Sequence, residues 1–323
     1  MALLKSAVPN QNISVNPKRK KSLQKQNIWV LYVFLIPAVV LTLIFAYLPM
    51  FSNYIAFLDY DFNKGWFGFG SEFVGFDNFA KFLNDDKFYE LMGRTLLYSV
   101  TMMVTTFPAP LILALLLNEL RGRLFKKFVQ TTSYIPHFVS WVTVAGLFYM
   151  FLTVDATGIV NNLRQLIDPS AERISFMQDA SNFLPVLVIS EVWKETGWGT
   201  ILYLAALSGI DPQQYEAAQV DGANRFQRLL YITLPGLIPT MCILLIFQLS
   251  GLFATNFDQV FNMQNKMIRL DTDTIGVYTY YQGLVSGQYS YSAAVGLFQG
   301  VISFILIMLT NYTTKRLSNV GII

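Results

Sequence analysis

Ser208 to Pro235 reads SGIDPQQYEAAQVDGANRFQRLLYITLP. Long apolar runs flank it on both sides, so it is a loop between membrane spans, yet its own residues order it. Asp211 is a helix N-cap, Pro212 the first helical residue, and Gln214 stands where a reciprocal capping partner belongs. Gln213 to Val220 reads as a short helix, and Gly222 permits the sharp turn that ends it. Asn224 caps a second short helix with Gln227 at its third position. Leu234-Pro235 then lead into the next apolar run. The expected result is a helix–turn–helix lying at the membrane surface, with Ala217, Ala218 and Ala223 open to close contact. A helix that only rests on lipid is the plain alternative. Such a helix favours Lys and Arg on its polar face, whereas this one carries Glu216 and Asp221 and has no base before Arg225.

Working outward, the whole chain reads as all-α and membrane-embedded. Of its 323 residues 54% are hydrophobic and 13% charged. Soluble domains carry about 25% charged residues, so this chain has too little charge to cover a soluble surface of that size. Disorder is excluded by the same balance. A single Cys (Cys242) and a single His (His137) leave no intrachain disulfide and no basis for a zinc or iron cluster. A net charge of +3 gives no argument for nucleic acid.

A spanning helix needs about 20 mostly apolar residues. Ile28–Met50, Thr95–Leu117, Gly236–Phe257 and Tyr289–Tyr312 pass without a charge. Phe128–Leu152 contains only His137, with Pro136 marking a break or entry point. A sixth span is interrupted: Phe183–Ser190 is apolar, Glu191-Val192-Trp193-Lys194-Glu195 follows, and Trp198–Ile210 resumes. Ile28–Met50 is too long for a signal h-region and reads as an uncleaved signal anchor.

Orientation follows from Lys and Arg, which concentrate on the cytoplasmic side. Lys5, Lys18, Arg19, Lys20, Lys21 and Lys25 lie in the N-terminal tail; Arg121, Arg123, Lys126 and Lys127 follow span 2; Arg225 and Arg228 follow span 4; Lys315 and Arg316 close span 6. Acidic residues are skewed to the other side. The expected organisation is a basic tail (1–27), a six-span domain (28–317) with both termini cytoplasmic, and a short C-terminal tail (318–323). Within the domain, Phe51 to Arg94 forms an extracytoplasmic flap rich in aromatics such as Phe67, Phe76 and Phe82, and residues 208–235 form the cytoplasmic loop between spans 4 and 5.

Glu216-Ala217-Ala218 followed by Gly222, extended by Asp221, Ala223 and the closing Leu234-Pro235, resembles the EAA loop of binding-protein-dependent ABC importer permeases. The longer pattern is similar to the carbohydrate, maltose-transporter-like branch. ALLLNELRGRLFKKFVQT, YIPHFVSWV, EVWKETGWGTILYLAALSGIDP and AVGLFQG resemble its polysaccharide and acidic-oligosaccharide subgroup. The resemblance implies a non-catalytic permease of a bacterial cytoplasmic (inner) membrane that forms half of an oligosaccharide path. It implies a homologous second permease, two ATPase subunits and an extracytoplasmic solute-binding protein as partners. It also implies that the helix from Pro212 to Val220 couples to an ATPase, with Glu216, Ala217, Ala218, Asp221, Gly222, Ala223, Leu234 and Pro235 as coupling residues. No Gly-Lys dipeptide occurs, hence no Walker A loop. No cofactor is expected on this chain, and ATP and Mg belong to the partner subunits.

The candidate substrate path is Glu191, Trp193, Lys194, Trp198, Gln248, Asn256 and Gln299. Ionisable groups at membrane depth usually face a bundle interior or an aqueous path. Glu191 and Lys194, three apart, can pair on one helical face. Alternatively Lys194 meets an acidic sugar while Trp193 or Trp198 stacks on a sugar ring. The amides serve helix-to-helix bonds or sugar hydroxyls. A secondary transporter or channel for a small polar solute is the competing class, but it often shows symmetric broken helices in both halves, and none are found.

Overall fold

The computed structural model describes residues 28–65, 68–120, 122–252 and 257–318. The basic tail, Phe67, Arg121, Asn256 and the last residues of the C-terminal tail lie outside the described residues. Contacts divide the chain into Met1–Tyr54 and Ile55–Ile323. The described part of the first unit is helix α1 (Ile28–Thr42), continued through a π turn at Leu43–Tyr47, an α turn at Leu48–Phe51 and the start of a 3-10 helix at Ser52–Phe57.

The second unit opens with a small two-stranded sheet, β1 (Leu58–Asp59) antiparallel to β2 (Glu72–Phe73), with Leu58 opposite Phe73. Helix α2 (Asp77–Leu83) follows, then α3 (Phe88–Thr106), α4 (Pro108–Glu119), α5 (Arg123–Tyr134), α6 (Trp141–Leu152), α7 (Ile159–Ile167) and α8 (Ala180–Ser208). After α8 come α9 (Pro212–Val220), α10 (Arg225–Arg228), α11 (Leu234–Ser250), α12 (Phe257–Met263), α13 (Arg269–Thr272), α14 (Ile275–Tyr280) and α15 (Tyr289–Ser318). Residues 88–94, expected in the flap, are already helical.

Among the described residues, four helices are long and apolar enough to cross a membrane: Tyr32–Phe57, Phe88–Glu119, Arg225–Leu249 and Tyr289–Arg316. Two expected spans differ from their sequence reading. Phe128–Leu152 is not one straight span: α5 and α6 are bent by 104°. The bend is local chemistry. Ile135–Phe138 tightens into a 3-10 turn with Pro136 near its start, Val139 turns extended, and Ser140 caps α6 by accepting the Thr143 amide. The charged stretch in the sixth candidate does not interrupt the backbone either. α8 is continuous for 29 residues, about 43 Å at 1.5 Å per residue, and within the charged stretch Lys194 and Glu195 pair with each other.

Span 5 also starts earlier than its apolar run. α10 passes through a π turn at Leu229–Thr233 directly into α11. The Leu234 amide bonds the Leu229 carbonyl five residues back. A π turn accommodates a proline inside a helix, since Pro235 has no N–H to donate and its ring crowds the preceding turn. The same arrangement precedes Pro49, where the Leu48 amide reaches Leu43.

α8 is the hub of the second unit, packing on α3, α4, α5 and α11. Tyr203 and Leu207 of α8 meet Ala114 of α4 and Leu237 of α11 in one core. Phe183 and Leu187, further along α8, meet Tyr98, Val144, Val260 and Met263 in another. Glycines permit the closest approaches. A Cβ on Gly197 would sit 1.9 Å from the Ser133 carbonyl oxygen of α5, and one on Gly199 would sit 2.8 Å from Pro110 of α4.

Candidate functional site

Helix α9 is built by its caps. The Asp211 carboxylate accepts the Gln213 amide at 3.0 Å. Gln214 does not return a side-chain bond to Asp211, so this end is a simple cap; the reciprocal box lies at the next helix. There the Asn224 side chain accepts the Gln227 amide at 2.9 Å, and Gln227 accepts the Asn224 amide at 2.8 Å. Between them Gly222 takes φ +80°, which an L side chain resists. The Ala223 amide then closes back on the Ala218 carbonyl at 2.8 Å, the hydrogen bond that satisfies a helix end.

One face of α9 is anchored and the other is free. Tyr215 bonds Thr233 at 3.0 Å, tying α9 to the π turn ahead of α11. Ala218 is half-buried, while Glu216, Ala217 and Asp221 are exposed and Val220 is 88% exposed. The exposed face thus presents Glu216, Ala217 and Val220 side by side. Ala223 is half-buried in the turn, Leu234 is half-buried and Pro235 exposed where the helix becomes α11. Leu234 and Pro235 thus carry the loop into the span. Ile210, just before α9, packs on Gly236, where a Cβ would come within 2.8 Å of it.

The charged stretch of α8 faces the elbow between α5 and α6. Lys194 is buried, and its ammonium donates to the His137 carbonyl at 2.7 Å and to Glu195 at 2.8 Å. It also lies 5.3 Å from the centre of the Trp141 ring, a cation–π distance. The other Glu195 oxygen meets His137 Nδ1 at 2.7 Å. The His137 ring stacks on Trp198 at 4.3 Å, nearly parallel. Lys194 therefore takes Glu195 as its ion-pair partner, and its charge is consumed in locking the elbow to α8. Trp193 and Trp198 are each 44% exposed. Gln248 donates to Thr106 at 2.9 Å, a helix-to-helix bond, and Gln299 is half-buried on α15.

Some residues of this arrangement were not singled out for a site by sequence. Tyr215 and Thr233, eighteen residues apart, carry no local signal of their pairing. Gln259 is fully buried and donates to the Leu187 carbonyl at 2.8 Å and to Ser190 at 2.9 Å. An amide at the edge of an apolar run is the only hint the sequence offers for it.

The family model described as "Binding-protein-dependent transport system inner membrane component" matches residues 106–319, which include the elbow, α8, the α9 loop and α11. The protein LplB of Bacillus subtilis (strain 168) is 46% identical over 298 residues, 92% of each chain. The polygalacturonan/rhamnogalacturonan transport system permease protein YteP of the same organism is 40% identical over 292 residues, covering 90% of this chain and 89% of YteP. A solved bacterial ABC transporter involved in import of the acidic polysaccharide alginate contains a chain 34% identical, with a TM-score of 0.81, covering 93% of this chain and 99% of that one. A second structure of a bacterial alginate ABC transporter, in complex with an alginate pentasaccharide-bound periplasmic protein, matches with a TM-score of 0.83 at 34% identity, covering 92% of this chain and 98% of that one. The chain belongs to the family of inner membrane components of binding-protein-dependent transport systems, the permeases of ABC importers.

Proposed function

We infer that this permease forms half of an oligosaccharide path, crosses the membrane six times with both termini cytoplasmic, and takes its energy through α9 from ATPase subunits. The free face of α9, Glu216 and Ala217 beside an exposed Val220, is the observation that carries this reading. Glu216 pairs with a basic group of the ATPase, and Ala217 allows its surface to come close. Asp221 and Gly222 hold the turn that presents them. A second, homologous permease completes the path, and an extracytoplasmic binding protein delivers the sugar.

The geometry makes the loop a lever. α9 is anchored to the start of α11 by Tyr215–Thr233 and Ile210–Gly236, and it follows α8 through Gly209, Ile210 and Asp211 alone. A push on α9 therefore reaches α8 and α11 together, and the Tyr203–Leu207–Leu237 core holds those two helices in one body. Coupling of this kind is reciprocal: nucleotide binding biases substrate access, and loaded binding protein biases nucleotide binding. The substrate class is oligosaccharides containing acidic sugars, supported by the polygalacturonan and alginate transport named for the relatives. Trp193 and Trp198 supply exposed ring faces for sugar stacking, with Glu191, Gln248, Asn256 and Gln299 along the same path. Lys194 supports Trp198 through His137 and Glu195.

The test is uptake. The complex carrying Glu216→Lys or Gly222→Asp is expected to assemble and to lose ATP-driven sugar uptake in proteoliposomes. Normal uptake by both variants overturns the coupling role of α9.

A further inference from the structure

Two adjoining cavities open where α4 ends beside α9 and α10. One, of about 360 Å³, is polar and is lined by Asn118, Glu119, Gln219, Arg225 and Arg228 together with Tyr215. The other, of about 500 Å³, is apolar and is lined by Ile112, Leu115, Leu116, Phe226 and Leu229. They share Asn118, Glu119, Arg225, Leu229 and Thr233, so a basic chamber runs into a greasy slot. The slot is open to the outside: Ile112 is 55% exposed, Leu116 62% and Phe226 66%. In the chamber, Arg228 Nε is buried and has no hydrogen-bond partner among the described residues. A guanidinium N–H that is out of water and unpaired is costly to leave so. Arg225 reaches Glu119 only at 4.0 Å, between two exposed side chains.

We propose that this paired cavity binds an anionic phospholipid of the cytoplasmic leaflet, with its phosphate between Arg225 and Arg228 and an acyl chain along Ile112, Leu116 and Phe226. The proposal rests on the orientation given above, in which this end of α4 is cytoplasmic. Arginine forks match phosphate oxygens, and basic pockets between spans on the cytoplasmic side suit anionic headgroups. A free phosphate leaves the slot empty. A helix from another subunit fills the slot but leaves the recessed chamber and Arg228 unsatisfied. A phospholipid joins an anion to an apolar tail in the order the two cavities demand. Glu119 opposes the phosphate and so weakens a site that its removal should strengthen. Because Tyr215 and Gln219 of α9 line the same chamber, the bound headgroup braces the coupling helix from behind.

The permease, purified with whatever subunits co-assemble, is placed in nanodiscs of phosphatidylcholine and phosphatidylglycerol and analysed by native mass spectrometry for retained lipid. Preferential retention of phosphatidylglycerol is expected. It should fall about fivefold for each arginine removed, in Arg228→Gln and again in Arg225→Gln/Arg228→Gln. Arg228→Lys should retain part of it, and Glu119→Gln should raise it by a similar factor. Soluble glycerol phosphate should not displace the lipid. A photocrosslinking amino acid replacing Leu116 should label lipid. Equal retention of both lipids, retention untouched by the double variant, displacement by glycerol phosphate, or crosslinks from that position to protein alone each overturn the proposal. Co-purification of an ATPase in the same preparation reports separately on the functional reading, so lipid selectivity can fail while that reading stands.

Discussion

The two ends of the polar chemistry on and beyond α8 are opposites. In its middle, Lys194, Glu195 and His137 are drawn inward and satisfy one another. Past its C-terminus, Glu216 and Asp221 stand exposed on a helix that touches the rest of the fold through the opposite face. A charge whose partners are within the chain serves architecture. A charge held out on a capped helix is available to another subunit. The sequence presents both as rare ionisable residues among apolar ones, and packing alone sorts them.

That contrast can be broken most forcefully at Lys194. Lys194→Met strands the His137 carbonyl and one oxygen of the part-exposed Glu195 carboxylate at the elbow, so stability should drop by about 2–3 kcal/mol. The readout is thermal unfolding of the purified complex, and an unchanged melting temperature contradicts a locking role. Gly197→Ala should cost about 1–3 kcal/mol through overpacking against the Ser133 carbonyl, in the same assay. A neutral Gly197→Ala shows that α5 and α8 do not approach as closely as described.

Milder changes sharpen the surface side of the comparison. Asn224→Ala removes the reciprocal cap and should cost about 1 kcal/mol, seen as faster amide exchange at residues 222–228. Glu216→Lys should leave stability within about 0.5 kcal/mol, as surface changes do, while uptake is lost. A large stability loss there moves Glu216 into the architectural class.

The smallest effect concerns Asp85, outside the spans. Burial tends to raise its carboxyl pKa, but the Lys87 amide and the Tyr278 and Tyr291 hydroxyls outweigh that and hold it below its ordinary value. The hydroxyl contacts are 2.8 Å and 3.1 Å. A depressed carboxyl stabilises the fold at pH above the ordinary range and loses that contribution as pH falls through its folded-state pKa. Amide exchange across residues 77–87 should therefore rise below about pH 4 in the wild type. Asp85→Asn should flatten that rise.

Much of the architecture is legible in short-range patterns. Apolar runs mark Ile28–Met50, Thr95–Leu117 and Tyr289–Tyr312, and the corresponding helices are present. The Asp211 and Asn224 caps and the Gly222 turn are readable because a cap acts over three or four residues. Pro136 announces a break, but only the fold shows a 104° elbow. Pro235 reads as the start of a span, whereas the π turn before it lets the helix run through from Arg225.

By itself, then, the sequence determined a lipid-embedded helical chain, the uneven spread of positive charge along its loops, and a self-capped loop resembling that of ABC importer permeases. Those features rest on composition and on interactions between near neighbours, which any fold of this chain must honour. The tertiary structure alone decided that Lys194 is spent on the elbow, that Gly197 carries a backbone-to-backbone contact, and that Arg225 and Arg228 share a chamber with the end of α4. Such facts join residues tens of positions apart, like His137 and Glu195 at a separation of 58. No local preference encodes them, because they arise only when α8 packs against the helices around it.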